Sequence, residues 1–119
     1  MSLIDTPDIS ILERYLNLAA FRQALISSNI ANIDTPGYKT VDIDFQSELS
    51  RAMTLPAGQS MPMVEQVQGL IQRPDGNNVS IDRESLLLSQ TQMQFTAAIQ
   101  LMRAEFQNLT EAINGGAGA

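Results

Sequence analysis

The sequence predicts a mainly α-helical protein, in which two long terminal helices pair antiparallel as a coiled-coil-like unit and enclose a small irregular or β-containing insert. Apolar residues recur at alternating spacings of three and four near both ends of the chain. Hydrophobic residues make up 44% of the chain, but aromatic residues only 5%, and Trp is absent. That composition favours packed helices over a sheet. Proline and glycine turn signals lie between the two periodic ends.

The first helix is predicted from about Thr6 to Ala31. Thr6, Pro7 and Asp8 supply a capping hydroxyl, a proline for the first helical position and an acid for the positive end of the helix dipole. A seam with one polar interruption then follows the heptad spacing: Ile9, Leu12, Leu16, Ala19, Gln23, Ile26, Ile30 and Ile33. A second apolar line lies on a neighbouring face: Leu18, Phe21 and Leu25. A helix with two apolar lines needs more than one partner helix.

Residues 1–40 are thus expected to hold the first helix and a following turn, and residues 41–79 a strand and loop insert. Val41–Phe45 alternates apolar and polar residues, which is typical of a short half-buried strand. Gln46–Thr54 is expected to form a helical turn or two, and Val64–Gln72 a second, weakly alternating strand. A further turn is expected at the Pro-Asp-Gly-Asn run that begins at Pro74.

Residues 80–114 are predicted to form the last helix, which packs with the first as one domain, and residues 115–119 a flexible, glycine-rich tail. Two lines of side chains are each spaced by seven residues. The first line is Ile81, Leu88, Phe95, Met102 and Leu109. The second line is Ser85, Gln92, Ile99, Phe106 and Ile113. Together they predict a heptad seam that is continuously apolar from Phe95 onward.

Composition excludes several classes of function. The formal net charge is −6 with a pI of about 4.3, which argues against binding of nucleic acid and against a basic membrane-surface helix. The chain has no His and no Cys, so it lacks thiolate and imidazole ligands and nucleophiles. No apolar run reaches the roughly 20 residues of a membrane span, and no cleaved signal peptide is expected. We therefore expect no enzyme activity, no catalytic residue, no metal and no cofactor.

Two sets of charged residues are candidates for a chemical site: the pair Asp42 and Asp44, and Lys39. Asp42 and Asp44 lie two residues apart on the predicted strand, which would place both carboxylates on one side. A calcium loop fails because Ser47 stands where a glycine is needed, so the two acids are interpreted as a solvent-facing pair. Lys39 is the only lysine, and it is interpreted as a solvated side chain after a turn.

The residues expected to carry packing therefore belong to the helical seams. They are Leu12, Leu16, Ile26 and Ile30 on the first helix, and Phe95, Ile99, Met102, Phe106 and Leu109 on the last. One helix pair cannot cover all these lines, so other copies or other proteins are expected to cover the rest. The polar interruptions Gln23 and Gln92 are hypothesised to fix how neighbouring helices align.

A distinctive run joins the end of the first helix to a turn. It reads Ser-Asn-Ile-Ala-Asn-Ile-Asp-Thr-Pro-Gly-Tyr-Lys from Ser28 to Lys39. Pro36 and then Gly37 give the order that a type II turn requires, and Asn29 and Asn32 are placed to bond backbone groups at the helix end. The signature residues are Asn29, Asn32, Thr35, Pro36, Gly37 and Tyr38.

This run closely resembles the N-terminal signature of bacterial flagellar rod and hook proteins. The Asp42–Phe45 run, and the Arg73–Val79 run followed by Asp82-Arg83-Glu84, resemble the proximal rod proteins within that family. The resemblance implies a structural subunit that assembles helically into the basal-body drive shaft, transmits torque and forms part of the export channel. It also implies export without a cleaved signal peptide to the periplasmic rod.

The implied partners are further copies of the chain, other proximal rod proteins, the rod-base adaptor, the inner-membrane MS ring protein and the flagellar type III export apparatus. No direct membrane insertion is implied. Two alternatives stay open at this point: another axial component of the rod and hook family, or a helical adaptor or chaperone of a secretion system that binds a partner helix through its open seams.

Overall fold

The computed structural model describes residues 7–55 and 61–118 as an elongated molecule measuring 71 × 26 × 18 Å. The predicted mainly helical fold is confirmed. The elements in chain order are α1 (Pro7–Ala31), β1 (Val41–Asp42), α2 (Phe45–Thr54), β2 (Glu65–Gln66) and α3 (Ile81–Gly118).

Helices α1 and α3 pack side by side and run in opposite directions. Asn29, near the end of α1, bonds Glu84 in the first turn of α3, whereas Leu12 and Leu101 line one cavity at the other end of the pair. With 25 and 38 residues, the helices are about 37 and 57 Å long at the helical rise of 1.5 Å per residue. The C-terminal part of α3 therefore extends past the described start of α1.

The apolar core lies between the two helices and under the insert. Its buried members are Ile9, Leu18, Ala19 and Ile26 of α1, Ala98 of α3, and Ile43 and Val79 of the insert. On α3 the most buried line is Glu84, Thr91 and Ala98, again seven residues apart. The predicted seam lies beside this line. Two of the buried residues, Glu84 and Thr91, are polar, and a pattern of apolar residues therefore does not include them.

The insert is a two-stranded antiparallel sheet with one helix. Val41 pairs with Gln66 and Asp42 with Glu65, so the predicted strand over 41–45 ends after two residues. It ends there because the Asp44 side chain accepts a hydrogen bond from the Ser47 amide at 3.2 Å and caps α2. The predicted helical turns of 46–54 are thus a full helix.

Helix α2 is held against α1 by one cation and one aromatic pair. The Arg14 guanidinium donates to the carbonyls of Ala52 and Leu55, where α2 ends. The rings of Tyr15 and Phe45 meet edge to face with centroids 5.3 Å apart. These contacts tie both ends of α2 to one turn of α1.

The helix ends differ in part from the sequence prediction. The capping residue expected at Thr6 lies outside the described residues. The backbone of α3 stays helical through Gly118, past the predicted end at Asn114. Within the described ranges, no helix combines the length and the apolar character needed to cross a membrane.

Candidate functional site

The Thr35–Tyr38 turn follows the end of α1 and has the predicted geometry. The Tyr38 amide donates to the Thr35 carbonyl at 3.2 Å, and Gly37 has a φ of +76°. A bond from the fourth residue to the first, with positive φ at the third, identifies a type II turn. The predicted turn type is therefore confirmed, and its residues Thr35, Pro36 and Gly37 are exposed.

Asn32 connects the last turn of α1 to this turn. Its Nδ2 donates to the Ser28 carbonyl at 2.8 Å, and its Oδ1 accepts from the Thr35 hydroxyl at 2.9 Å. The Asn32 amide also donates to the Ser28 carbonyl at 3.1 Å. One side chain thus satisfies a carbonyl at the helix end and orients the first residue of the turn.

Asn29 is 1% exposed and uses both ends of its amide. Its Nδ2 donates to the Val41 carbonyl at 2.8 Å and to Glu84 Oε2 at 3.2 Å. Its Oδ1 accepts from the Val41 amide at 3.1 Å and from the Tyr38 hydroxyl at 2.9 Å. Asn29 therefore joins α1, the segment after the turn and α3 at one buried point.

A second turn, Arg73–Gly76, lies directly against the first. The Gly37 amide donates to the Asp75 carbonyl at 2.9 Å. Gly76 has a φ of +89°, which residues with a side chain rarely adopt, and a Cβ there would lie in tight contact 3.3 Å from the Gly37 Cα. The Arg73 guanidinium donates to the Ile33 carbonyl.

The side chains of Asn77 and Asn78 complete the contact between the two turns. Asn77 Nδ2 donates to the carbonyls of Asn32 at 2.9 Å and Thr35 at 2.8 Å. Asn78 Oδ1 accepts from the Thr40 amide at 2.7 Å and from the Thr40 hydroxyl at 2.8 Å. The sequence indicates a turn here, but it carries no signal that this turn packs on the first.

Five side chains form a continuous polar network beneath these turns: Arg22, Asn29, Asp42, Arg83 and Glu84. Arg22 donates to both Asp42 oxygens at 3.1 and 3.0 Å. Arg83 donates to Asp42 Oδ2 and to Glu84 Oε1, each at 2.8 Å. The interpretation of Asp42 as a solvent-facing acid is wrong, because two distant arginines cover it and leave it 8% exposed.

The charges of the polar network balance, with two arginines against two carboxylates. Burial alone raises the pKa of Asp42, but the hydrogen bonds from Arg22, the Ile43 amide and Arg83, together with the Arg22 charge, outweigh it and lower that pKa below its usual value. Asp42 is therefore a stable anion at neutral pH.

The residues predicted to carry packing fall into two groups. Ile26 is buried, while Leu12, Leu16, Ile30, Phe95, Met102 and Leu109 are half-buried. Ile99 and Phe106 are 39% and 41% exposed, and Ile113 on the same line is 51% exposed. The second line of α3 is thus left uncovered by α1 along its apolar half.

A metal site would require clustered ligands among the other polar residues of the described ranges. In the described part of the chain, no group of three or more acidic, His or Cys side chains is arranged to hold a metal. Lys39 donates to Gln72 Oε1 at 2.8 Å and to the Gly76 carbonyl at 2.5 Å, so it supports the second turn. The hydrogen bonds described above align α1 with α3 and join the first turn to the second.

Comparison with known proteins identifies the family. A family model described as flagella basal body rod protein matches residues 12–39, which contain most of α1 and the first turn. The flagellar basal body rod protein FlgB of Salmonella typhimurium is 31% identical over 122 residues, covering 85% of this chain and 88% of the relative. FlgB of Bacillus subtilis is 31% identical, covering 88% and 92%, and FlgB of Borrelia hermsii 28%, covering 88% and 94%. The chain therefore belongs to the FlgB family of flagellar basal body rod proteins.

Proposed function

We propose that this chain is a structural, non-catalytic subunit of the proximal rod of the bacterial flagellar basal body, and that it assembles helically with copies of itself and with other rod proteins. The FlgB relatives, which match along most of the chain, support the place in the rod. The uncovered apolar line on α3 supports the mode of assembly and is the observation that carries it.

This uncovered line consists of Ile99, Phe106 and Ile113, which we call the outer line of α3. Its members are seven residues apart and 39%, 41% and 51% exposed. They run from the part of α3 beside the start of α1 to the part that extends past it, next to a cavity of about 260 Å³ lined by Ile11, Leu12, Leu101, Ala104 and Glu105. A heptad line of this kind is covered when a neighbouring helix packs along it.

Head-to-tail packing of a neighbouring subunit along this line, repeated without closing into a ring, would produce a helical tube. In the tube, helix packing would transmit torque and the interior would form part of the export channel. We also propose that the remaining seam residues, such as Leu109, pack in this assembly and that the first turn sets the direction of the chain within it. We further propose contacts with the rod-base adaptor, the MS ring protein and the flagellar type III export apparatus, and a periplasmic location reached without a cleaved signal peptide.

Complementation of a deletion strain tests the proposal. The wild-type gene is expected to restore swimming and intact basal bodies. A variant with Ile99, Phe106 and Ile113 all replaced by Ser is expected to be expressed and exported, yet to yield no completed rod in purified basal bodies. Gln107→Ser, an exposed polar neighbour on the same helix, is the matched control and should swim normally. Normal rods in the triple variant would contradict assembly through the outer line.

A further inference from the structure

The polar network occupies one end of the α1–α3 pair, where an ordinary helix pair would have apolar side chains. Glu84 is 0% exposed, and its carboxylate contacts Asn29 from α1 and Arg83 from its own helix. A buried carboxylate weakens a helix interface unless every partner is in place. Its presence therefore calls for an explanation other than stability.

The apolar part of the interface does not by itself select one alignment of the helices. Buried positions on α3 repeat every seven residues, and two of them, Thr91 and Ala98, carry small side chains. On α1 the buried Ala19 and Ile26 are also seven residues apart. A slide of the helices by seven residues, about 10 Å, would thus bring similar apolar surfaces together again.

The polar network does distinguish these alignments. A slide in either direction separates Glu84 from Asn29, which now meet at 3.2 Å. It also separates Arg83 from Asp42 Oδ2, which now meet at 2.8 Å. Asp42 itself is held to α1 by Arg22 at 3.1 and 3.0 Å, so its carboxylate bonds both helices in one alignment only.

We propose that the polar network sets the register of the α1–α3 pair, with Glu84 and Asp42 as its positioning residues. Polar side chains buried in a helical interface select register at some cost in stability. This role differs from the one hypothesised for the seam glutamines, since Gln92 is exposed on α3 and takes no part in this interface. It also holds independently of which proteins cover the outer line of α3.

Spin-label distances across the helix pair test the register directly. Because the chain has no Cys, Ser27→Cys and Gln107→Cys in the full-length protein place one label on each helix at exposed positions. Ser27 lies at the level of Leu86, so the labels are offset by roughly 30 Å along the axis. Dilution with unlabelled protein confines double electron–electron resonance to distances within one molecule.

The parent is expected to give one narrow distance. Glu84→Leu should give a second or broadened distance displaced by up to roughly 10 Å, while helical circular dichroism stays at the parent level. Glu84→Gln keeps an oxygen acceptor for Asn29 and should restore the single distance. Gln92→Leu is the matched control on the same helix and should leave the distance unchanged.

The parent distance in a fully helical Glu84→Leu variant would overturn the proposal, as would an equal displacement in Gln92→Leu. If Glu84→Leu loses its helical signal, Asp42→Leu decides, because it removes both oxygens that accept from Arg22 and Arg83 at a similar side-chain length. A displaced distance in that variant supports the proposal, and the parent distance overturns it. Loss of helix in both variants also overturns it, since the network would then be needed for folding and not for register.

Discussion

Replacing Asn29 with Ala removes the side chain that joins α1, the first turn and α3. Four hydrogen bonds are lost: two to the Val41 backbone, one from Tyr38 and one to Glu84. Each neutral bond contributes about 1 kcal/mol net, and the bond to a buried carboxylate about 1.5–3 kcal/mol. Water reaches the half-buried Val41 and Tyr38 in the variant, so we expect a loss of about 3–5 kcal/mol in the free energy of unfolding.

Urea unfolding of the full-length chain, followed by far-UV circular dichroism, measures this loss. It would be a large share of the 5–15 kcal/mol typical of a folded domain, so the midpoint should fall sharply. Asn17→Ala is the matched control, because Asn17 is an exposed asparagine on the same helix, and it should change stability by less than about 0.5 kcal/mol. A loss below about 1 kcal/mol in Asn29→Ala would refute the role of Asn29 as a buried junction.

Gly37→Val should destabilise the chain by about 1–2 kcal/mol or more in urea unfolding, because a branched residue is strained at a φ of +76° although the space around it is open. Stability should fall with acid below about pH 4, since Asp42 has a lowered pKa and its bonds to Arg22 and Arg83 are present above its usual pKa and lost as the pH drops through the folded value. Phe106→Ala should weaken rod assembly by about 3 kcal/mol for each subunit whose ring is fully buried on assembly, measured by sedimentation and motility, yet destabilise the free chain by less, because this ring is 41% exposed there.

Each of these predictions has a matched control. Gly115→Val also adds a side chain in open space but without positive φ, so it should leave stability unchanged or raise it slightly, because Val has a higher helix propensity than Gly. Asp42→Asn should unfold with a shallower dependence on acid than the parent, and an unchanged slope would assign the acid effect to other carboxylates. Gln107→Ala should assemble normally. Full assembly by Phe106→Ala would remove that ring from the subunit contacts.

Local patterns in the sequence were sufficient wherever a feature depends on neighbouring residues. The periodicity of α1 and α3 and the type II geometry at Gly37 are set within a few positions of the chain. The signature from Ser28 to Lys39 was likewise sufficient to identify the family before any contact was known. The bounds of β1 could not be predicted from local patterns, because alternation of apolar and polar residues does not show that Asp44 begins a helix.

The sequence by itself therefore determined the helical class, the turn and the apolar lines that exceed what one helix pair covers. Only the tertiary structure decided that Asp42 and Glu84 are buried, and that the two turns pack through Gly37 and Gly76. The physical reason is that the free energy of burying a charge depends on its partners. Asp42 and its two arginines are separated by 20 and 41 positions in the chain, a pairing that no local pattern encodes.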